Sequence, residues 1–295
     1  MRNATAWLRR IDPALAPCLR QTSHVVTRKV LGMSVRLYAQ YCRVLKDIPY
    51  PAEYADYEWY NLPRRMDVSL MPYGMMLGEF SSQIANDINA LVNYTRRLQA
   101  WEVVMRPLGE KRILDALVEF VDPLTAVALG MPYAIRARFL YAAVHLNHQA
   151  NQVRDGACWV DKLPRDRDIR AQHLDQLGEG WKSYADFRQA MCRIFDAAYQ
   201  QSTRQYRHKY NHQVPPGIAL GITGIVTRIV EKKTGRVSYI HGEAPPLTMV
   251  SIVQSLSEQC LCCREAFEQF KKMIGEHEAA IKAACGAKGQ SGVAE

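Results

Sequence analysis

The 295-residue sequence predicts a mainly α fold: a four-helix-bundle core with an amino-terminal helical extension and a small β-hairpin before the last helix. Three observations lead there. Four long stretches repeat apolar residues at helical spacing, one of them as an unbroken 4-3 seam. The periodicity of a parallel sheet is missing. Hydrophobic residues make up 48% of the chain, ample for a packed core.

Residues 1–66 read as a basic helical segment followed by a loop, with four tyrosines and three prolines between 47 and 66 that favour an ordered path. Leu77, Phe80, Ile84, Ile88, Leu91, Leu98 and Trp101 mark the first long helix, over roughly 75–106. Ile135, Phe139, Ala142, Leu146 and Ala150 mark the second, about 132–152, with Pro132 near its first turn. Residues 154–180 mix charge with glycine and leave room for one short helix. Phe187, Met191, Ile194, Ala198 and Ser202 mark the third, about 183–212, which Pro215-Pro216 stops. Between Ile222 and Glu243, β-branched residues flank a Thr234-Gly235 turn, the pattern of a hairpin. The fourth helix, about 247–284, carries the seam: Met249, Val253, Leu256, Cys260, Cys263, Phe267, Phe270 and Ile274. A helix has reason to keep such a seam only against other helices. Residues 286–295 are expected to be a disordered tail.

Charge is unevenly placed. Residues 1–46 hold nine basic residues against the single acid Asp12, so +8 of the net +9 lies there and the rest is nearly neutral. Arginine outnumbers lysine, 26 to 12, and its fork suits phosphate. The segment is acid-poor like a transit peptide, yet serine is scarce and it runs on into an amphipathic pattern. No apolar run reaches the roughly 18–20 residues of a membrane span. The eight cysteines form no framework, as expected of reduced thiols in a cytoplasmic protein.

Several chemistries lack their parts. The sequence has no P-loop, no dinucleotide fingerprint and no paired Glu-x-x-His for a di-metal bundle. Cys260-Leu261-Cys262-Cys263 is half of a zinc site at most, and Cys260 and Cys263 fall on the apolar seam, where packing explains them. No metal site or cofactor is therefore expected. On the second helix Arg138, Tyr141, His145, His148 and Gln152 form a polar stripe opposite the apolar one. It reads either as a hydrogen-bonded face or as support for a site between helices.

The richest stretch runs from Arg204 to Pro216. On one continuous helix, Arg204, Arg207, His208, Asn211 and His212 would share an arc of about 140° pointing away from the helix's own core. Arg207 and His212 make Arg-x4-His, followed by the proline stop. An Arg-x(4–6)-His spacing also occurs at Arg138/His145, Arg167/His173 and Arg236/His241, so what distinguishes this pair is its polar neighbours and its place at a helix end.

These residues resemble the HEPN superfamily, whose metal-independent ribonucleases carry an Arg-x(4–6)-His motif. The run Tyr206–Pro216, with Pro132-Tyr133-Ala134-Ile135-Arg136 and the final apolar helix, carries the resemblance over about residues 70–285. It implies a HEPN-like domain at 67–285 and a metal-independent endoribonuclease of bacterial defence or toxin–antitoxin systems, with a cognate antitoxin or defence partner. It also implies a homodimer that joins two motifs in one cleft, with Arg207 and His212 catalytic and Arg204, His208 and Asn211 binding phosphate of RNA. Many active members have Asn after the arginine, where this chain has His208. The alternatives are a non-catalytic module binding nucleotide, RNA or a partner, and a helical protein unrelated to nucleic acid. In the last, Arg207 pairs with a carboxylate and His212 caps its helix end.

The basic segment generates a first prediction. Deleting residues 1–46 should weaken nucleic-acid binding, flatten its dependence on salt and leave the bundle folded. Titrations of a labelled oligonucleotide at several salt concentrations measure both affinity and slope.

Overall fold

The computed structural model describes residues 35–231 and 234–291. Among them the fold is mainly helical with one small hairpin. Helix α1 (35–47) leads into a loop that packs along the bundle, and Asp67 caps the short turn Val68–Leu70 before α2 (Met71–Met105). Helix α3 (Glu110–Ala116) passes through a π-helical turn, Leu117–Val121, into α4 (Asp122–Asp155). Four short helices follow: α5 (Ala171–Gly178), α6 (Tyr184–Arg193), α7 (Ala197–Ser202) and α8 (Tyr206–His212). Strands β1 (Val226–Val230) and β2 (Val237–His241) precede α9 (Met249–Ser291).

The core lies where α2, α4, α6 and α9 meet. Along the predicted seam of α9, Met249, Leu256, Cys260, Cys263, Phe267, Phe270 and Ile274 are buried, and Val253 is partly so. Phe139 of α4, Phe187 of α6 and Phe270 of α9 form a triangle of rings with centroids 5.6–5.9 Å apart. Trp59 closes it from the loop side, edge-on to Phe267 and Phe270 at 5.8 and 6.1 Å.

The loop is tied down by polar contacts as well. Asn89 of α2 accepts from the Ala55 N–H at 2.7 Å and donates to the Ala55 carbonyl at 3.1 Å. Arg96 donates to the carbonyls of Leu45 and Ile48. From α9, Lys271 pairs with Asp56 at 2.9 Å and Glu278 accepts from the Asn61 N–H at 2.6 Å.

Four expectations need correction. The tail expected to be disordered at 286–295 is helical as far as Ser291, where α9 ends, and residues 292–295 lie outside the described residues. The second long helix begins at Asp122 rather than near 132, with Pro123 in its first turn and Pro132 inside it. Buried Leu124, Ala128 and Leu129 extend its apolar stripe upstream, and that packing offsets the roughly 3 kcal/mol of an interior proline. The third long helix is not continuous. It breaks at Ile194-Phe195, where Phe195 has φ +53°, and again at Arg204-Gln205, with φ +51° and +57°. Side chains from other helices hold the first break: Gln259 of α9 accepts from the Phe195 N–H at 2.8 Å, and Arg136 of α4 donates to the Ile194 carbonyl. Asp196 then caps α7 by accepting from the Tyr199 N–H at 2.8 Å.

The amino-terminal extension departs from expectation as well. Residues 1–34, most of its basic charge, lie outside the described residues. Residues 35–47, however, belong to the core: Leu37 and Tyr41 are buried, and Tyr41 stacks on Trp101 at 4.6 Å, with Phe120 on that same indole at 4.9 Å. A deletion through residue 46 therefore removes core packing along with charge, and one ending at 34 is the cleaner test of the basic segment.

The expected hairpin is present. β1 and β2 pair antiparallel from Val226↔His241 to Val230↔Val237, and every residue of both strands is exposed. Bridges at Thr223↔Ala244 and Ile218↔Leu247 root it in the body.

His277 continues the α9 seam. It is fully buried, 3.1 Å from the Tyr73 hydroxyl through Nδ1, with its ring 4.3 Å from that of Trp181, and its Nε2 has no hydrogen-bond partner. Burial, with Arg154 adding to it, pushes its pKa down to about 3. The unfolded chain, with a histidine near 6.5, takes up this proton first. Stability from this group is therefore complete above pH 6.5 and falls below it, by about 1.4 kcal/mol per pH unit down to the folded pKa. Urea unfolding at pH 7 and 5 should show this loss in the natural chain and a smaller one in His277→Leu.

Candidate functional site

The expected cluster is distributed over two elements. Arg207, His208, Asn211 and His212 all lie on α8, a seven-residue helix seated on α4 by its buried Tyr206. Burial pushes the Tyr206 phenol up to about 12, so it stays neutral. Positions 207, 208, 211 and 212 share one side of this helix, as successive turns require. The guanidinium of Arg207 lies over the ring of Tyr133 on α4, 3.7 Å from its centroid. Beside it, the rings of His208 and His212 adjoin with centroids 5.2 Å apart and planes tilted by 50°. His208, Asn211 and His212 are exposed.

Arg204 departs from the expectation. Its left-handed backbone ends the preceding turn, so it is not on α8, and its guanidinium donates to the Pro245 carbonyl, at the root of the hairpin. With Lys209, Gln200 and Gln201 it lines a shallow depression of about 410 Å³ beside α8.

Charge is unbalanced here. Among the described residues, Arg204, Arg207 and Lys209, like Arg96, Arg97 and Arg136, have no carboxylate within ion-pair distance, whereas Arg106, Arg138, Arg188, Arg193 and Arg264 do. Lys209 and His212 also stand in the last turn of α8, where the helix dipole favours cations. Cations that no carboxylate neutralises can hold an anion, and an imidazole beside them can carry a proton to or from it.

The polar stripe of α4 behaves differently: the segment 156–170 covers it. Tyr141 donates to Asp166 at 3.0 Å, and His145 Nε2 lies 3.4 Å from the same carboxylate, although its geometry makes no hydrogen bond. His148 meets Asp161 at 3.1 Å, and the Trp159 indole N–H donates to the His148 carbonyl. Arg138 pairs with Asp87 of α2. Burial depresses the pKa of His145, opposed by Asp166. The stripe is thus a hydrogen-bonded face. Beneath the segment is a cavity of about 300 Å³, lined among others by His148, Trp159, Lys162 and His173.

No protein-family model, curated protein or solved structure matches this chain. The site is therefore read from its own chemistry. Among the described residues, no three His, Cys, Asp or Glu side chains gather as metal ligands would. No helix described is long and apolar enough to cross a membrane. Sequence reasoning missed Tyr133 as the seat of Arg207; only its place one residue beyond Pro132 drew attention to it. It also missed Asp161 and Asp166, whose loop gives no periodic signal.

The covering segment generates a prediction. Asp166→Ala removes the acceptor of Tyr141 and the charge beside His145. Because Asp166 is exposed, the global cost should stay near 1 kcal/mol or less. Limited trypsin digestion at Arg165, Arg167 and Arg170 should nevertheless become several-fold faster.

Proposed function

We propose that the exposed face of α8 binds the phosphodiester backbone of RNA and cleaves it without a metal. The observation that carries this reading is Arg207, seated on Tyr133 with no carboxylate partner among the described residues, beside the adjoining imidazoles of His208 and His212. Stacking on the ring leaves guanidinium N–H groups free for phosphate and fixes where they point. His212 takes the proton of a ribose 2′-hydroxyl, and the 2′-oxygen attacks the adjacent phosphorus. Arg207 neutralises the charge that builds on the phosphorane oxygens. His208 gives a proton to the departing 5′-oxygen, while Asn211 orients the phosphate. The products are a 2′,3′-cyclic phosphate and a 5′-hydroxyl. Arg204 and Lys209 extend the anion path along the neighbouring depression.

The HEPN resemblance supports this reading and adds a setting: a cytoplasmic ribonuclease of bacterial defence or toxin–antitoxin type, kept in check by a cognate partner and completed by homodimerisation. A second reading, RNA binding without cleavage, draws support from the same stack, since a cation held on an aromatic ring serves binding equally well.

Cleavage of a labelled oligoribonucleotide in EDTA separates the two. The natural chain should cut it and leave a cyclic phosphate. His212→Ala should reduce the rate by about 10²–10⁴-fold with RNA affinity and melting temperature unchanged. Arg207→Lys should lose both rate and affinity, because a point charge cannot replace the fork. No cutting by the natural chain, with affinity lost in both variants, establishes the binding reading. Cleavage that survives both substitutions removes α8 from the chemistry.

A further inference from the structure

The hairpin offers a surface that the α8 reading does not use. Its register puts Val226, Arg228, Val230, Val237, Tyr239 and His241 on one face, and Thr227, Ile229, Ser238 and Ile240 on the other. All are exposed, and among the described residues no helix packs closely against either strand. A two-stranded ribbon in that position is marginal in water.

The phase of the ladder shows which backbone groups are already paired. The Gly242 N–H donates to the Ile225 carbonyl, and the Glu231 N–H to the Arg236 carbonyl. These are hydrogen-bonded positions, so the alternate pairs Thr227/Ile240 and Ile229/Ser238 are as well. Arg236, Ser238, Ile240 and Gly242 thus turn their amides toward β1. Val237, Tyr239 and His241 turn theirs outward, and on the other edge Val226, Arg228 and Val230 do the same.

The two edges differ in charge. Arg228 stands at the centre of the β1 edge, so pairing that edge with itself would oppose two guanidinium groups. β2, Val237-Ser238-Tyr239-Ile240-His241, holds no Lys, Arg, Asp, Glu or Pro. It lacks the residues with which edge strands usually block association.

We infer that β2 pairs antiparallel with β2 of a second copy of this chain, making a four-stranded sheet with a two-fold axis at Tyr239. In that register Tyr239 faces itself and Val237 faces His241 of the second copy. Each of the three facing pairs exchanges two N–H···O bonds, which uses every outward amide of the strand. The contact is self-complementary, as a closed two-fold dimer requires. It uses no residue of α8; a dimer made through α8 instead would persist in the Tyr239 variant below, so failure of this contact and failure of the RNA reading are told apart.

Light scattering on the full chain at tens of micromolar tests it. The expected mass is twice 33.6 kDa. Tyr239→Lys opposes two ammonium groups on the axis and should give a monomer with an unchanged melting temperature, since the side chain is exposed. Tyr239→Cys should form a disulfide-linked dimer under mild oxidation, because facing Cα atoms at a hydrogen-bonded pair lie about 5.5 Å apart. Arg228→Cys, on the other edge, should link no more than the natural chain does. A monomeric natural chain overturns the inference. So does a dimer that persists in Tyr239→Lys, or one that links through 228 and not through 239.

Discussion

Three phenylalanine rings, from α4, α6 and α9, meet at centroid distances under 6 Å, and the placement of the other elements follows from that contact. Phe270 sits on an unbroken apolar seam, so α9 cannot turn about its axis without exposing it. Phe187 brings α6 to the same point, and this sets where the chain leaves for α7 and α8. Trp59 covers the knot from the loop side, which explains why a segment with little secondary structure keeps one path along the bundle. Edge-on aromatic pairs add about 0.5–1.5 kcal/mol each beyond the area they bury, so the knot also has the energy to act as an anchor.

The long helices were legible because apolar periodicity is a local signal repeated many times. The α9 seam, the α2 stripe and the hairpin all appear where the sequence placed them. The third helix was misread because its breaks are made at a distance. Nothing around Phe195 marks a stop apart from Asp196, a good cap residue in the middle of an apparently periodic run. The groups that hold the break, Gln259 and Arg136, lie 64 and 58 residues from the backbone atoms they bind. Spacing at that site predicted a smooth wheel, and Arg204 was assigned to it. Four of the five candidate residues do share α8, since that short helix keeps the local spacing even after its parent helix is broken. Pro132 shows the converse error, a strong local signal overruled by burial on both sides of it.

The polar stripe of α4 and the polar face of α8 have opposite kinds of neighbour. Along the stripe from Arg138 to His148, carboxylates from α2 and from the covering segment meet the basic and phenolic groups. Around α8 the cations meet an aromatic ring and a backbone carbonyl instead. Composition alone could not separate them, because both surfaces combine Arg, His and Tyr. What separates them is the neighbour brought by the fold, an acid in one case and a neutral group in the other.

The π-helical turn between α3 and α4 has a consequence for how this chain tolerates insertion and deletion. The Asp122 N–H reaches back to the Leu117 carbonyl, a turn one residue wider than an α-turn. That extra residue advances everything before it by about 100° relative to α4. In the present phase Leu117 and Val121 point into the core and Phe120 lies against Trp101. A lineage that lost one residue here would recover a regular helix and yet swing α3 and Phe120 away from that indole. Length at this joint is therefore constrained more tightly than the identity of its residues, the reverse of what holds for an exposed loop.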